Sequence, residues 1–532
     1  MPTDPISVLR SAIRDAALSI GNGGSSQPKL ERPPRPDFGD YSTNAAMLLA
    51  PALGESPRPV AERLGSSLGQ ALADAVERVD VAGPGFLNLF MSDSWYRQAV
   101  AGMAEAGEAY GAGRADPRER VLVEYVSANP TGPVTVASGR NAAYGDSLAR
   151  LLELAGHDVE REYYVNDYGS QARKFGESIR ARARGEDPPE DGYRGEYVAE
   201  LAQRIPAAAD KDPDELAREG IQLMLEEIVR TLERFRARID RFFSERSMYE
   251  SSAVDAAIAK LAEAGHVYES DGATWLRTSA LGDDKDRVLR RSSGEVTYFA
   301  SDIAYHQDKR QRGYDRLIDP WGADHHGHVP RMLTAWEALG GDRDRLELVI
   351  MQLVNLTEGG QRAQMSKRQG EFVTLDELLD DIGVDAARFF LLQRSHDTTL
   401  DLDLNLAREQ SDENPVYYVQ YAHARIASIL RRAEGEPDAD APATEPLHPS
   451  EKALVKRLLE FPEELDIAVE RRAPHRLTTY ALELARDFSA FYRDCKVVGT
   501  PAEPFRLALC VQAKTVIAKS LELLGVSAPD EM

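Results

Sequence analysis

The chain is expected to be an α/β protein, with a parallel-sheet nucleotide-binding unit in the middle, an α+β unit before it and a helical bundle after it. Three observations predict this. A strand, a loop rich in Gly and Pro, a helix and a second strand follow one another between Val121 and Val165. Strand-like segments return at 296–300, 316–320 and 346–354. After residue 405 the apolar residues recur at helical spacing to the end. At 532 residues the chain is too long for one core, and it divides into units at 1–110, 111–405 and 406–532.

In the first unit, Asp4, Arg10, Arg14 and Asp15 interrupt an apolar pattern of helical period. The segment therefore reads as an opening helix rather than a signal peptide. A Pro-rich connection at 28–36 follows. Gly83-Pro84-Gly85 is a turn feeding a short strand from Phe86.

The second unit begins with Val121-Leu122-Val123-Glu124-Tyr125-Val126, a compact run that reads as a buried strand. Ala142, Leu148, Leu151, Leu152 and Ala155 then mark a helix that begins near Gly139 and stops at Gly156. With the strand at 159–165 this makes one βαβ unit. In such units anions bind at the helix N-terminus, beyond the strand end. The loop 127–140 occupies that position. Residues 172–290 are mostly helical and read as an insertion into the nucleotide-binding fold.

In the third unit Val416, Val419, Ile426 and Ile429 mark one amphipathic helix. Leu477, Tyr480, Ala481, Leu484, Ala485, Phe488 and Phe491 mark another, and Phe505, Leu509, Val516 and Leu524 a last. The acid- and Pro-rich stretch 434–449 is a loop between helices.

The net charge of −24 argues against non-specific nucleic-acid binding, which needs a positive field. A nucleic acid would need a locally basic face. No apolar run reaches the length of a membrane span, so no membrane association is expected. The two cysteines, Cys495 and Cys510, have no metal-ligand spacing and suit a reducing cytoplasm. The run Asp324-His325-His326-Gly327-His328 invites a zinc reading, but no cysteine or other suitable fourth ligand lies nearby. No metal site is expected there.

Met365-Ser366-Lys367-Arg368 is a basic loop next to Gly370, after a strand and before a capped helix at 374–378. Such a loop can close over a triphosphate, with Lys367 as a mobile charge. It resembles the second signature of class I aminoacyl-tRNA synthetases. The segments Gly383-Val384-Asp385-Ala386-Ala387-Arg388-Phe389 and Asn414-Pro415-Val416-Tyr417-Tyr418-Val419-Gln420-Tyr421 are similar to the arginine-specific branch. So are Gly39-Asp40-Tyr41-Ser42-Thr43-Asn44, Asn166-Asp167-Tyr168-Gly169-Ser170-Gln171 and the ending from Leu523 to Pro529. The resemblance to arginyl-tRNA synthetases covers essentially the whole chain.

That resemblance implies a class I Rossmann-type catalytic domain, an accessory N-terminal domain and a helical anticodon-binding domain. It implies activation of L-arginine by ATP with Mg²⁺, then transfer to the 3′ end of tRNA(Arg), by a cytoplasmic monomer. Thr135, Ser138, Ser366 and Lys367 fall in the catalytic positions, and Val136, Ala137, Gly139, Met365 and Arg368 in those that bind ATP. Glu124, Asn129, Tyr298, Asp302 and His325 match the arginine contacts. Tyr417, Tyr421 and Arg425 match the tRNA-binding face. The plainer alternatives are that Tyr298 is core, that Asp302 caps a helix begun near Ser301, and that the tyrosines pack between helices.

One stretch departs from the pattern. After Pro133-Val134 the family has His-Val-Gly-His; this chain has Thr135-Val136-Ala137-Ser138. Thr135 is a weaker donor to phosphate than His. Ala137 adds a methyl where glycine gives adenine close approach. Ser138 is shorter than His but polar, and is placed to cap the following helix. Loss of one preorganised donor typically costs about 10²–10³ in rate. Two expectations follow: an active arginine ligase that tolerates these changes, or a diverged copy that binds tRNA or arginine with weak charging or passes arginine to another acceptor.

Overall fold

The computed structural model describes residues 4–21, 28–362 and 373–532. A five-stranded parallel sheet organises the centre. Its strands are β1 (Arg120–Glu124), β2 (Asp158–Val165), β3 (Arg241–Ser244), β4 (Arg316–Gly322) and β5 (Leu346–Met351), in the order β5-β4-β1-β2-β3. Val121, Leu122 and Val123 in β1 and Leu317 and Ile318 in β4 are buried, as in strands covered on both faces. The chain winds outward from β1 to β3, then crosses to the other side of β1 to form β4 and β5. Winding therefore reverses between β1 and β4, and the loops leaving these two strands diverge.

Helix α1 (Val136–Ala155) connects β1 to β2 and ends at Gly156, whose φ of +108° favours glycine. Helix α2 (Tyr298–Gln311) precedes β4, and α3 (Leu375–Leu391) follows β5. Thr374 and Glu377 form a reciprocal capping box at the start of α3. Before this unit, helices Ala45–Leu53 and Pro57–Leu72 pack on a four-stranded antiparallel sheet. After it, α4 (Pro415–Arg432), α5 (Pro449–Glu470), α6 (His475–Asp494) and α7 (Glu503–Leu523) form the bundle. Leu477, Tyr480, Leu484 and Phe488 are buried in it, matching the apolar period of α6.

Several sequence expectations are corrected. The segment 296–300, read as a strand from its β-branched and aromatic residues, contributes only an isolated bridge at Val296. Thr297 then caps α2, accepting from the Ala300 N–H, so the helix starts at Tyr298. Asp302 lies one turn inside and is not its cap. The stretch 346–354 is β5 followed, after Gln352 and Leu353, by a separate strand Val354–Glu358. In 172–290 the helices run only to Glu263. Three antiparallel strands follow, and Arg241–Ser244 belongs to the central sheet.

Arg388 of α3 locks the bundle to the central unit. It is fully buried, donating through Nε to the Leu524 carbonyl (2.6 Å), through Nη1 to the Phe235 carbonyl (3.0 Å) and through Nη2 to Asp146 Oδ2 (2.6 Å). Gly525 has φ +69°, and a Cβ there would lie 2.2 Å from Arg388 Nε, so the close approach needs glycine. Burial raises the Asp146 pKa, but Arg388 and Arg150 more than offset it and hold the carboxyl below its ordinary value. A carboxyl held low stabilises above the ordinary carboxylate range and loses that contribution as pH falls through its own lowered value. Arg388→Met, which removes one buried partner of Asp146 and leaves the Leu524 and Phe235 carbonyls without their donor, is expected to cost about 3–5 kcal/mol by chemical denaturation at neutral pH.

Candidate active site

The crevice at the carboxyl end of β1 starts with a strained turn. Val126 has φ +68° and Ser127 φ +40°, a conformation that a β-branched residue rarely adopts. The surroundings enforce it. The Val126 N–H donates to Asn141 Oδ1 (2.7 Å), and Asn141 Nδ2 donates to the Pro320 carbonyl on β4 (2.8 Å). Ser127 Oγ donates to Glu124 Oε1 (2.7 Å) and accepts the Tyr164 N–H from β2 (3.0 Å). Tyr163 Oη donates to the Ala128 carbonyl (2.6 Å). The turn is thus held from β1, β2, β4 and α1 together. Just beyond it, Asn129 lies between Gln171 and Asn166, at 3.1 and 3.2 Å.

The loop then enters α1, and here the expected helix start is corrected. The helix begins at Val136, and Thr135 rather than Ser138 is its cap, accepting the Ser138 N–H at 3.2 Å. The two hydroxyls also lie 3.2 Å apart. Ala137 is exposed, whereas Val136 and Gly139 are buried. At Gly139 a Cβ would come 2.7 Å from Leu375 Cδ1, so glycine there lets α1 approach α3.

The loop is stitched to residues on the far side of the second basic loop. The Val136 N–H donates to the Val373 carbonyl (3.2 Å) and the Leu375 N–H to the Val134 carbonyl (2.7 Å). Met365, Ser366, Lys367 and Arg368 lie outside the described residues. Arg140, 2 % exposed, adds a second tie. Its Nη1 donates to the carbonyls of Gln352 (2.7 Å) and Leu353 (3.3 Å), and its Nη2 to those of Ser395 and Thr398 (both 2.9 Å). Burial pushes its pKa down to about 10.

Beside the loop lies a cleft of about 610 Å³ whose lining includes Tyr168, Ser170, Glu245, Arg246, Tyr249 and Tyr298. Tyr298 is 57 % exposed, which excludes the core reading. One turn on, Asp302 pairs with His328 Nε2 at 2.9 Å. Glu245, which the sequence reading missed, is 3 % exposed, and its Oε2 has no hydrogen-bond partner among the described residues. Its carboxyl is pushed up to about 7 by burial, then by the negative charges of Asp302 and Asp167; the Tyr164 and Ser301 hydroxyls favour the charged form without offsetting this. Such a pocket favours a cation. The signal for Glu245 was its position at the carboxyl end of a parallel strand, and reading 172–290 as a helical insertion hid that strand.

Two expected arginine contacts are placed differently. Glu124 is buried beneath the turn, with its oxygens engaged by Ser127 and by Lys309 Nζ (2.5 Å). His325 faces outward near Asp324 (3.4 Å) and Trp321, while His328 meets Asp302. The bundle residues do come together. Tyr417 and Tyr421 stack at 6.2 Å, and Arg425 lies over the rings of Tyr421 (4.6 Å) and Tyr492 (5.4 Å). Arg425, Arg432 and Lys496 help line a neighbouring cleft of about 980 Å³.

A sheet of this order, with its loop-to-helix turn at the strand reversal, is a doubly wound nucleotide-binding fold, and the model described as "tRNA synthetases class I (R), catalytic domain" matches residues 104–181 and 194–427, which makes it that of a class I aminoacyl-tRNA synthetase. The models "Arginyl tRNA synthetase N terminal domain" and "DALR anticodon binding domain" match 7–91 and 419–532. The chain belongs to the arginyl-tRNA synthetase family. It is 44 % identical to the arginine–tRNA ligase of Bacillus subtilis over 548 residues, covering 99 % of this chain and 98 % of that one. It is 45 % identical to that of Desulfovibrio desulfuricans over 549 residues, covering 99 % and 100 %. The solved Thermus thermophilus arginyl-tRNA synthetase superposes with a TM-score of 0.75 at 26 % identity, covering 99 % of this chain and all of that one.

Because Thr135 is the helix cap, Thr135→Ala is expected to lower stability by about 1 kcal/mol in chemical denaturation, and Thr135→Ser to restore most of it.

Proposed function

We propose that this chain is an arginine–tRNA ligase that activates L-arginine with ATP and passes it to the 3′ end of tRNA(Arg). The observation that carries the arginine specificity is the site at Glu245, whose buried Oε2 has no hydrogen-bond partner among the described residues and on which the negative charges of Asp302 and Asp167 also act. A guanidinium entering it supplies the positive charge that the facing carboxylates lack, and planar carboxylates suit its fork of donors. The full-length likeness to ligases supports the same reading and gives no support to a diverged copy with weakened charging.

In the first step a carboxylate oxygen of arginine attacks the α-phosphorus of ATP, which enters as its Mg²⁺ complex. Arginyl adenylate forms and pyrophosphate leaves. In the second, the 2′-hydroxyl of the terminal tRNA adenosine attacks the arginyl carbonyl and AMP leaves. The protein's work is positioning and electrostatic stabilisation. Tyr298, Asn129 and Asp302 orient arginine. Lys367, Ser366, Met365 and Arg368 close on the phosphates. Thr135 and Ser138 also contribute: with Thr135 Oγ accepting the Ser138 N–H, one hydroxyl proton serves their mutual contact and the other is available to a phosphate oxygen. Tyr417, Tyr421 and Arg425 meet tRNA by stacking and charge. Among the described residues no helix is long and apolar enough to cross a membrane, and a cytoplasmic site of action suits a tRNA substrate and the two buried free cysteines.

Purified chain with ATP, Mg²⁺ and tRNA(Arg) is expected to form arginyl-tRNA(Arg). No charging by the native chain, with recovery in Thr135→His/Ala137→Gly/Ser138→His, would overturn the proposal. A pH profile tests the pocket. Free Glu245 is protonated below about 7, and guanidinium binding needs its charged form, so arginine binding expels the proton. The arginine KM is expected to fall as pH rises from 6 to 8, by at most about tenfold per unit below 7, and to become flat and high in Glu245→Gln.

A further inference from the structure

The two halves of the arginine pocket stand on different elements. Asn129 follows the strained Val126–Ser127 turn at the end of β1, while Tyr298 and Asp302 stand on α2. A continuous buried chain of charges joins them. Ser127 Oγ donates to Glu124 Oε1 (2.7 Å), and Lys309 Nζ donates to Glu124 Oε2 (2.5 Å) and Asp319 Oδ2 (2.7 Å). His306 places Nε2 3.0 Å from the same Asp319 oxygen and Nδ1 2.8 Å from the main-chain carbonyl of Asp302. Lys309 and Asp319 are fully buried, with His306 at 2 % and Glu124 at 7 % exposure.

We propose that Lys309 is a positioning residue, whose ammonium fixes the spacing between the Ser127–Asn129 turn and the Asp302 segment of α2 and so sets the width of the arginine pocket. The proposal rests on the arginine-activating reading above. Every group that faces Lys309 fits the role of a tie. Glu124 and Asp319 receive it, and the Tyr305 ring lies 4.3 Å from Nζ. The further carboxylate of Glu162 is held by Arg312 and by Tyr305 Oη. Burial favours the neutral amine, but Asp319, Glu124 and Glu162 outweigh it, so the pKa of Lys309 is raised and the side chain stays charged. An ammonium with two carboxylate partners on different strands is a rigid link in a way that a single ion pair is not. Lys309 belongs to the same helix as Tyr298 and Asp302, so a shift at its anchor is transmitted along α2 to the pocket.

The test uses the full-length chain and arginine-dependent ATP–pyrophosphate exchange in the presence of tRNA(Arg), with KM determined separately for arginine and ATP. Lys309→Met keeps the length and removes the charge. It is expected to raise the arginine KM at least tenfold and to leave the ATP KM within about twofold, because the ties that frame the nucleotide loop run through Arg140 and residues 373–375. Loss of folded protein alone would lower kcat without splitting the two KM values, and that result overturns the proposal. Lys309→Met also strands two carboxylates, so Glu124→Gln/Lys309→Met serves as the charge-balanced partner, with Asp319 still paired to His306. This double variant is expected to fold and to keep the raised arginine KM. A native arginine KM in the double variant would show that only charge balance matters and would overturn the proposal. Absence of exchange in the native chain would instead overturn the arginine-ligase reading itself.

Discussion

The site depends on one buried guanidinium. Arg140 sits in the second turn of α1, and its hydrogen bonds among the described residues run to four main-chain carbonyls, those of Gln352, Leu353, Ser395 and Thr398. Its burial is costly, as the lowered pKa reflects, and the fork of donors offsets that cost only while all four carbonyls stay in place. The helix that starts at Thr135 is therefore fixed relative to the end of β5 and to the turn after α3. The chain leaving β5 leads to the second basic loop, and the chain returning from that loop pairs with Val134 and Val136. Both approaches to the proposed triphosphate position are thus held by main-chain bonds.

This bears on the sequence Thr135-Val136-Ala137-Ser138. The features that frame the loop are the ties of Arg140, the main-chain bonds of Val134 and Val136 to residues 373–375 and the close packing at Gly139. None of them uses the side chains that differ from the His-Val-Gly-His pattern, apart from Thr135 in its capping role. A cap is a task that threonine performs well. The exposed Ala137 and the half-buried Ser138 carry none of these ties. The physics of the loop is compatible with catalysis by a positioned phosphate site whose donors are hydroxyl and main-chain groups.

Much of the fold was legible because its signals are local. Val121–Glu124 is apolar enough to be a central strand, Gly156 stops α1, and the spacing of Leu477 to Phe491 marks α6. The errors have local causes too. Val296 to Ala300 has strand-forming residues, yet Thr297 and the Ala300 N–H make a helix cap, and only the tertiary setting decides between them. At the site, the sequence pointed to Tyr298, which lines the cleft, and to Asp302, whose charge acts on Glu245 there. It could not separate Glu124 from Glu245, since both are acids at strand ends. Hydrogen bonding decides: Glu124 is spent on Ser127 and Lys309, while Glu245 keeps an oxygen without a partner among the described residues. His325 and His328 are equally indistinguishable until the turn after β4 shows which one meets Asp302.

Main-chain framing anchored at Arg140, more than any single side chain of the 135–138 loop, is expected to hold the proposed nucleotide site. The most direct test compares the ATP KM of Arg140→Lys with that of Thr135→Ala in arginine-dependent pyrophosphate exchange. Lysine keeps the charge but cannot reach four carbonyls at once. A larger rise in ATP KM is expected for Arg140→Lys than for Thr135→Ala. A native ATP KM in Arg140→Lys, with the larger rise in Thr135→Ala, would contradict it.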